Sequence, residues 1–122
     1  MRKNNFVGTF VGSSSQTLLS KAGTTLITES VEIKITKESK NIYLIRVSYP
    51  GKKITYEVLG SLIYDKIYSS NSNPLPNDVN LLNTYYNIFY FNTKGQLRNH
   101  SSGMLDGKQY ARISKLKRTS SS

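Results

Sequence analysis

Hydrophobic and polar residues alternate with a period of two between Thr28 and Tyr68, and the alternation predicts half-buried strands. Val31, Ile33 and Ile35 alternate with Glu32, Lys34 and Thr36. Tyr43, Ile45, Val47 and Tyr49 alternate with Leu44, Arg46 and Ser48. Ile54, Tyr56 and Val58 alternate with Lys53, Thr55 and Glu57. A turn centred on Ser39 would set Ile33 opposite Ile45 and Val31 opposite Val47. A second, centred on Pro50-Gly51, would set Val47 opposite Ile54, Ile45 opposite Tyr56 and Tyr43 opposite Val58. Both registers place the whole apolar set on one side, and a one-residue slip would invert each face.

The pattern continues in both directions. Phe6 to Gly12 reads as a first strand, Ser13 to Gln16 as a polar turn, and Thr17-Leu18-Leu19 as a short strand or a turn of helix. Gly23 punctuates before a strand over Thr24 to Lys37, and Gly60-Ser61 predicts a tight turn or bulge before Leu62 to Tyr68. Ser69 to Thr84 breaks the pattern, with Pro74 and Pro76 unsuited to a central strand. Asn77 to Leu82 within it suits a single capped helical turn. Tyr85 to Asn92 is an aromatic strand, and Asn92-Thr93-Lys94-Gly95 a turn with Gly where a positive φ is needed. Gln96 to Ser101 pairs back, Asp106-Gly107 is a hairpin signal, and Lys108 to Arg118 closes the chain. Short strands at roughly 8–12-residue spacing predict an all-β domain. Meander connections favour a small antiparallel up-and-down β-barrel of about eight strands, with a β-sandwich as the alternative. The expected organisation is one domain over residues 1–122, with a polar loop at 69–84 and a Ser-rich tail at 119–122.

Composition narrows the function classes. With no cysteine, the 122 residues hold no disulfide, thiolate nucleophile or Cys-based metal site. No window approaches the roughly 18 apolar residues of a membrane span. Met1 to Asn5 runs into Phe6-Val7-Gly8 with no apolar leader segment, so an intracellular, reducing compartment or a virion is expected. The net charge is +10. From Lys94 onward, seven basic residues (Lys94, Arg98, Lys108, Arg112, Lys115, Lys117 and Arg118) stand against Asp106 alone, a pattern that attracts anionic partners.

The catalytic inventory is thin, and neither a catalytic residue nor a cofactor or metal site is expected. His100 is the single histidine, which rules out a multi-histidine metal site, and the acids are scattered. Glu32 would face Arg46 as a structural cross-strand pair. Asp65 would share the apolar face with Tyr56 if Gly60-Ser61 is a tight hairpin, and would point to solvent if Gly60 is a bulge. In the first case it would anchor a ligand inside the barrel. The basic patch, interleaved with Tyr110, suits nucleic acid by charge, but no RNP-type motif, GXXG loop or helix-turn-helix pattern accompanies it. Ile42, Leu44 and Leu59 lie opposite the inner face, and Tyr85, Tyr86 and Tyr90 flank Phe89 and Phe91, which marks these six as candidate protein contacts.

Phe6-Val7-Gly8-Thr9-Phe10, with Tyr110-Ala111-Arg112 in the closing strand, resembles the calycin pattern of lipocalins and fatty-acid-binding proteins. There a Gly-x-Trp opens the barrel and a basic residue of the last strand packs across the Trp. Phe10 stands here in place of the Trp, and the family's disulfide is absent. The resemblance implies an up-and-down barrel with an apolar cup, Phe10 as the opening ring and Arg112 as its packing partner.

The leading functional expectation is a non-enzymatic cationic module that docks on an acidic surface or in a multi-chain assembly. The compact size and compositional bias suit a structural component of a viral particle. The alternatives are a calycin-like carrier of a small apolar ligand and a nucleic-acid-binding barrel.

Overall fold

A computed structural model describes residues 5–51, 54–69, 82–105 and 108–120; for 54, 82–86, 105 and 120 the backbone alone is described. The strands are β1 (Gly8–Ser20), β2 (Gly23–Ser39), β3 (Ile42–Tyr49), β4 (Ile54–Ile63), β5 (Lys66–Tyr68), β6 (Leu82–Phe91), β7 (Leu97–Leu105) and β8 (Lys108–Ser120). Each pairs antiparallel with the next, and β8 returns to β1, which closes an eight-stranded up-and-down barrel. The helical turn read over Asn77 to Leu82 falls outside the described residues except for Leu82, which opens β6.

The inner faces are those the alternation predicts. Val31, Ile33, Ile35, Tyr43, Ile45, Val47, Tyr49 and Val58 are all buried. The partners differ by two residues, however: Ile33 faces Val47, Ile35 faces Ile45, Val47 faces Tyr56 and Ile45 faces Val58. The first turn sits at Lys40-Asn41, where Asn41 takes a left-handed φ of 64°, a conformation asparagine tolerates well. An even shift preserves side-chain parity, so the core survives it. The outer pairs do change. Glu32 faces Ser48, while Arg46 lies between Lys34 and Glu57 and makes its ion pair with Glu57 at 2.6 Å.

Two expected turns are strand instead. Ser13 to Gln16 lies inside β1, paired on both sides by β2 and β8, with Ser14 and Gln16 buried and Ser13 and Ser15 exposed. Gly60-Ser61 continues β4, and the chain reverses at Tyr64-Asp65, where Tyr64 has φ 58°. Gly60 faces inward, and a Cβ there would come within 2.4 Å of the Ile67 Cγ2. The turn at Lys94-Gly95 is as expected, with Gly95 at φ 77°.

The interior changes character along the barrel axis. At the end where β1 begins and β8 finishes, Phe6, Phe10, Ile35, Tyr43, Ile45, Phe89, Leu97 and Leu116 form an apolar core. The Phe6 and Phe91 rings meet there at 4.7 Å between centroids, tilted by 40°. Toward the other end, the inner positions of β1, β7 and β8 turn polar: Ser14, Gln16, Asn99, Ser101, Arg112 and Ser114 are all buried.

Candidate functional site

The four residues expected around a ligand separate into two places and a loop. Phe10 is fully buried in the apolar end, and the arginine over its ring is Arg118, 4.7 Å from the centroid, not Arg112. In the β1–β8 register Phe10 faces Arg118, whereas Arg112 faces Gln16. Arg118 also donates from Nη1 to the Val7 carbonyl at 2.7 Å and from Nη2 to the Asn5 carbonyl. Asp65 lies in the β4–β5 turn with its side chain 82% exposed, 3.3 Å from Lys66 Nζ. Of the two placements open to it, Asp65 takes the solvent one and not the inner face beside Tyr56, through neither a hairpin nor a bulge at Gly60: β4 passes through Gly60 without turning, and the reversal carries Asp65 into solvent.

Tyr56 and Arg112 do come together, in the polar end of the interior. Arg112 is 7% exposed, its Nη2 is 3.4 Å from the Tyr56 hydroxyl, and its guanidinium lies 5.8 Å from the Tyr49 ring and 5.6 Å from the Tyr110 ring. Tyr49 stacks on Tyr56 at 6.5 Å, and Tyr110 shares a 3.2 Å hydrogen bond with Ser101. Asn99, one step further along β7, donates from Nδ2 to Asn87 Oδ1 at 2.6 Å. Burial works against the charged guanidinium, but the oxygens of Tyr56, Tyr49 and Tyr110 outweigh it and hold Arg112 above the ordinary arginine range. Burial, reinforced by Tyr56, pushes the Tyr49 hydroxyl well above the usual tyrosine range, against a smaller opposing pull from Arg112. The three tyrosine side chains thus surround a buried cation.

The expected basic patch divides. Arg112 is interior, Arg118 is tied to the segment that precedes β1, and Lys108 sits at the opposite end of β8 from Lys117. Lys94, Arg98, Lys115 and Lys117 remain together on the outer wall. Arg98 faces Lys115 directly across β7–β8, Lys117 faces Val11 on β1, and Lys94 lies in the turn that precedes β7. Among the described residues none of the four makes an ion pair. Beside them, the Tyr90 hydroxyl and His100 Nε2 are 3.0 Å apart, and Lys66 lies 5.9 Å from the Tyr90 ring centroid.

Ile42, Leu44 and Leu59 lie on the outer wall as expected. Leu44 faces Leu59, which is 55% exposed, and the stripe runs on to Ile63 and Tyr68. Tyr85 and Tyr86 fall in β6 at a register shift, with their side chains outside the described residues. Sequence reasoning did not single out an outer groove of about 390 Å³, lined in part by Thr17, Leu19, Ser102, Gln109 and Ala111. Small side chains at Ser102 and Ala111, paired across β7–β8, leave this space. Neither a protein-family model nor a curated protein matches the sequence, so it is the fold and the placement of these side chains that carry a functional reading.

Proposed function

We propose that this barrel is a non-enzymatic docking module whose outer β7–β8 wall meets an acidic protein surface in a multi-chain assembly. The observation that carries the reading is the direct opposition of Arg98 and Lys115, extended by Lys117 and Lys94, with no ion pair to any described acid. Like charges facing each other across strands destabilise a sheet, so the barrel tolerates an arrangement that a partner's carboxylates would relieve. The closed strand order sets β3–β4 across the barrel from β7–β8, and that wall carries half-buried Leu44 beside exposed Leu59. Two unlike surfaces on opposite sides suit a subunit with neighbours on both. An acidic protein fits better than nucleic acid, because the ring beside the basic pair, Tyr90, is engaged by His100 and Lys66 rather than free to stack on a base.

Fluorescence anisotropy of the full chain against poly-L-glutamate and against a single-stranded DNA of equal charge tests this reading. Poly-glutamate binding is expected to weaken steeply from about 0.05 to 0.3 M salt and to fall about tenfold or more in R98E/K115E. Absent binding at low salt, an unaffected double variant, or a clear preference for DNA would each overturn it.

A further inference from the structure

We infer that the polar end of the barrel interior is a binding site for an organic monocarboxylate, with Arg112 as the seat of its charged group. This site lies inside the barrel and is independent of docking by the outer wall.

Three polar groups on two adjacent strands are left without partners. Arg112 Nε, Ser14 Oγ and Ser114 Oγ are buried and make no hydrogen bond among the described residues. Ser14 and Ser114 face each other across β1–β8, and Arg112 sits one inward step along β8 from Ser114, facing Gln16 on β1 and Ser101 on β7. Buried polar atoms are nearly always paired, so a cluster of orphans marks where an absent group belongs. All three orphans can donate, one carries a full charge, and none is matched by a described carboxylate at ion-pair distance. The group they call for is an anionic acceptor.

Its class follows from charge and shape. A single guanidinium neutralises one negative charge. Glu29, half-buried on β2 opposite Ser14 and already engaged in a contact of its own, would repel a second. A phosphate dianion would thus leave an uncompensated charge in a buried site, whereas a monocarboxylate would not. A planar carboxylate also matches the guanidinium edge, and the free Nε lies on that edge. Around it stand the rings of Tyr49, Tyr56 and Tyr110. They favour an apolar or aromatic remainder and offer hydroxyls to the carboxylate. Gln16 at 8% and Tyr49 at 6% keep slight exposure at this level.

Isothermal titration and thermal melting of the full chain with octanoate and benzoate test the site, with octanol and inorganic phosphate as controls. A carboxylate is expected to raise the melting temperature and to release or absorb heat on binding, while octanol does neither. R112M removes the guanidinium that would seat the carboxylate and should lose the carboxylate response. S114A and Y56F leave the charge in place and should each weaken binding several-fold. These two variants decide the question if R112M fails to fold. The site is overturned if neither carboxylate binds, if octanol binds equally well, or if R112M, or S114A together with Y56F, binds like the parent. Tighter binding of phosphate would overturn the monocarboxylate class.

Discussion

The Arg118 guanidinium covers the Phe10 ring at 4.7 Å from its centroid while its two terminal nitrogens hold the carbonyls of Val7 and Asn5. One side chain near the end of the chain thereby caps the apolar core and ties down the segment that leads into β1. R118A should lower stability by about 1–3 kcal/mol, from a lost cation–π contact and two charge-assisted hydrogen bonds in a partly exposed setting. R118K should recover only part of that, since an ammonium does not span two carbonyls with the same fork. Urea denaturation of both variants checks this, and an R118A protein as stable as the parent would refute the clamp.

Closure of the barrel depends on Gly12. A Cβ there would stand 1.8 Å from the Lys115 carbonyl oxygen, a backbone atom with nowhere to go. G12A should cost more than about 3 kcal/mol or prevent folding. G60A, where the obstacle is the Ile67 methyl, should cost about 1–3 kcal/mol through overpacking. Parallel thermal melts rank the two, and a G12A chain that melts above G60A contradicts the closure geometry.

Replacing Lys115 by Glu turns the Arg98 opposition into an attraction. K115E should stabilise the isolated barrel by a few tenths of a kcal/mol up to about 1 kcal/mol at low salt, with the gain fading as salt rises. Melting curves at two salt concentrations read it directly. No gain at low salt would mean that the wall already neutralises its own charge.

Tyr49 should be a late-titrating tyrosine. Its hydroxyl ionises in the unfolded chain near pH 10 and is raised in the folded one. The folded state therefore holds this proton more tightly. Its contribution to stability is complete below about pH 10 and is lost as pH climbs toward the folded value. Absorbance at 295 nm during alkaline titration should show one ionisation that coincides with unfolding and is missing in Y49F. An ordinary titration of every tyrosine near pH 10 would contradict the burial.

The seam between β5 and β6 should open first. Among the described residues it is held by Ile67 opposite Phe89, Tyr68 opposite Ile88 and the hydrogen bond from the Ser69 N–H to the Asn87 carbonyl, against the continuous thirteen-pair ladder from Gly8 to Ser20 between β1 and β2. Amides of Lys66 to Tyr68 should exchange with solvent well before those of the β1–β2 ladder. Hydrogen exchange followed by mass spectrometry would detect the reverse order.

What the sequence disclosed follows from parity. Alternation tells which face of a strand is buried, and Val31 to Val58 keep that face although every partner is displaced by two residues. Connection length is not encoded in alternation, so the reversals at Lys40-Asn41 and Tyr64-Asp65 were not legible, and the side of Asp65 stayed open between two readings. Ser13 to Gln16 carries polar side chains on both faces because its inner side lines the polar end of the interior. Such a run shows no periodicity and reads as a turn. Arg112 and Arg118 are six residues apart and share parity in β8, so the pattern could not choose which one meets Phe10. That choice belongs to the stagger of β8 against β1, a long-range property of closure. The Tyr56–Arg112 encounter is legible only after the fold is known, since it joins strands 56 residues apart.

Closure has one more consequence. The return of β8 to β1 gives both strands of the basic wall a neighbour on each side: β7 lies between β6 and β8, and β8 between β7 and β1. That wall keeps no open edge with which to recruit another chain. Recognition by strand addition is therefore closed to it, and so is the templated stacking that leads to fibres. A partner on this side must be read through side chains alone. Single substitutions on the wall would then change the surface it presents without disturbing the backbone beneath.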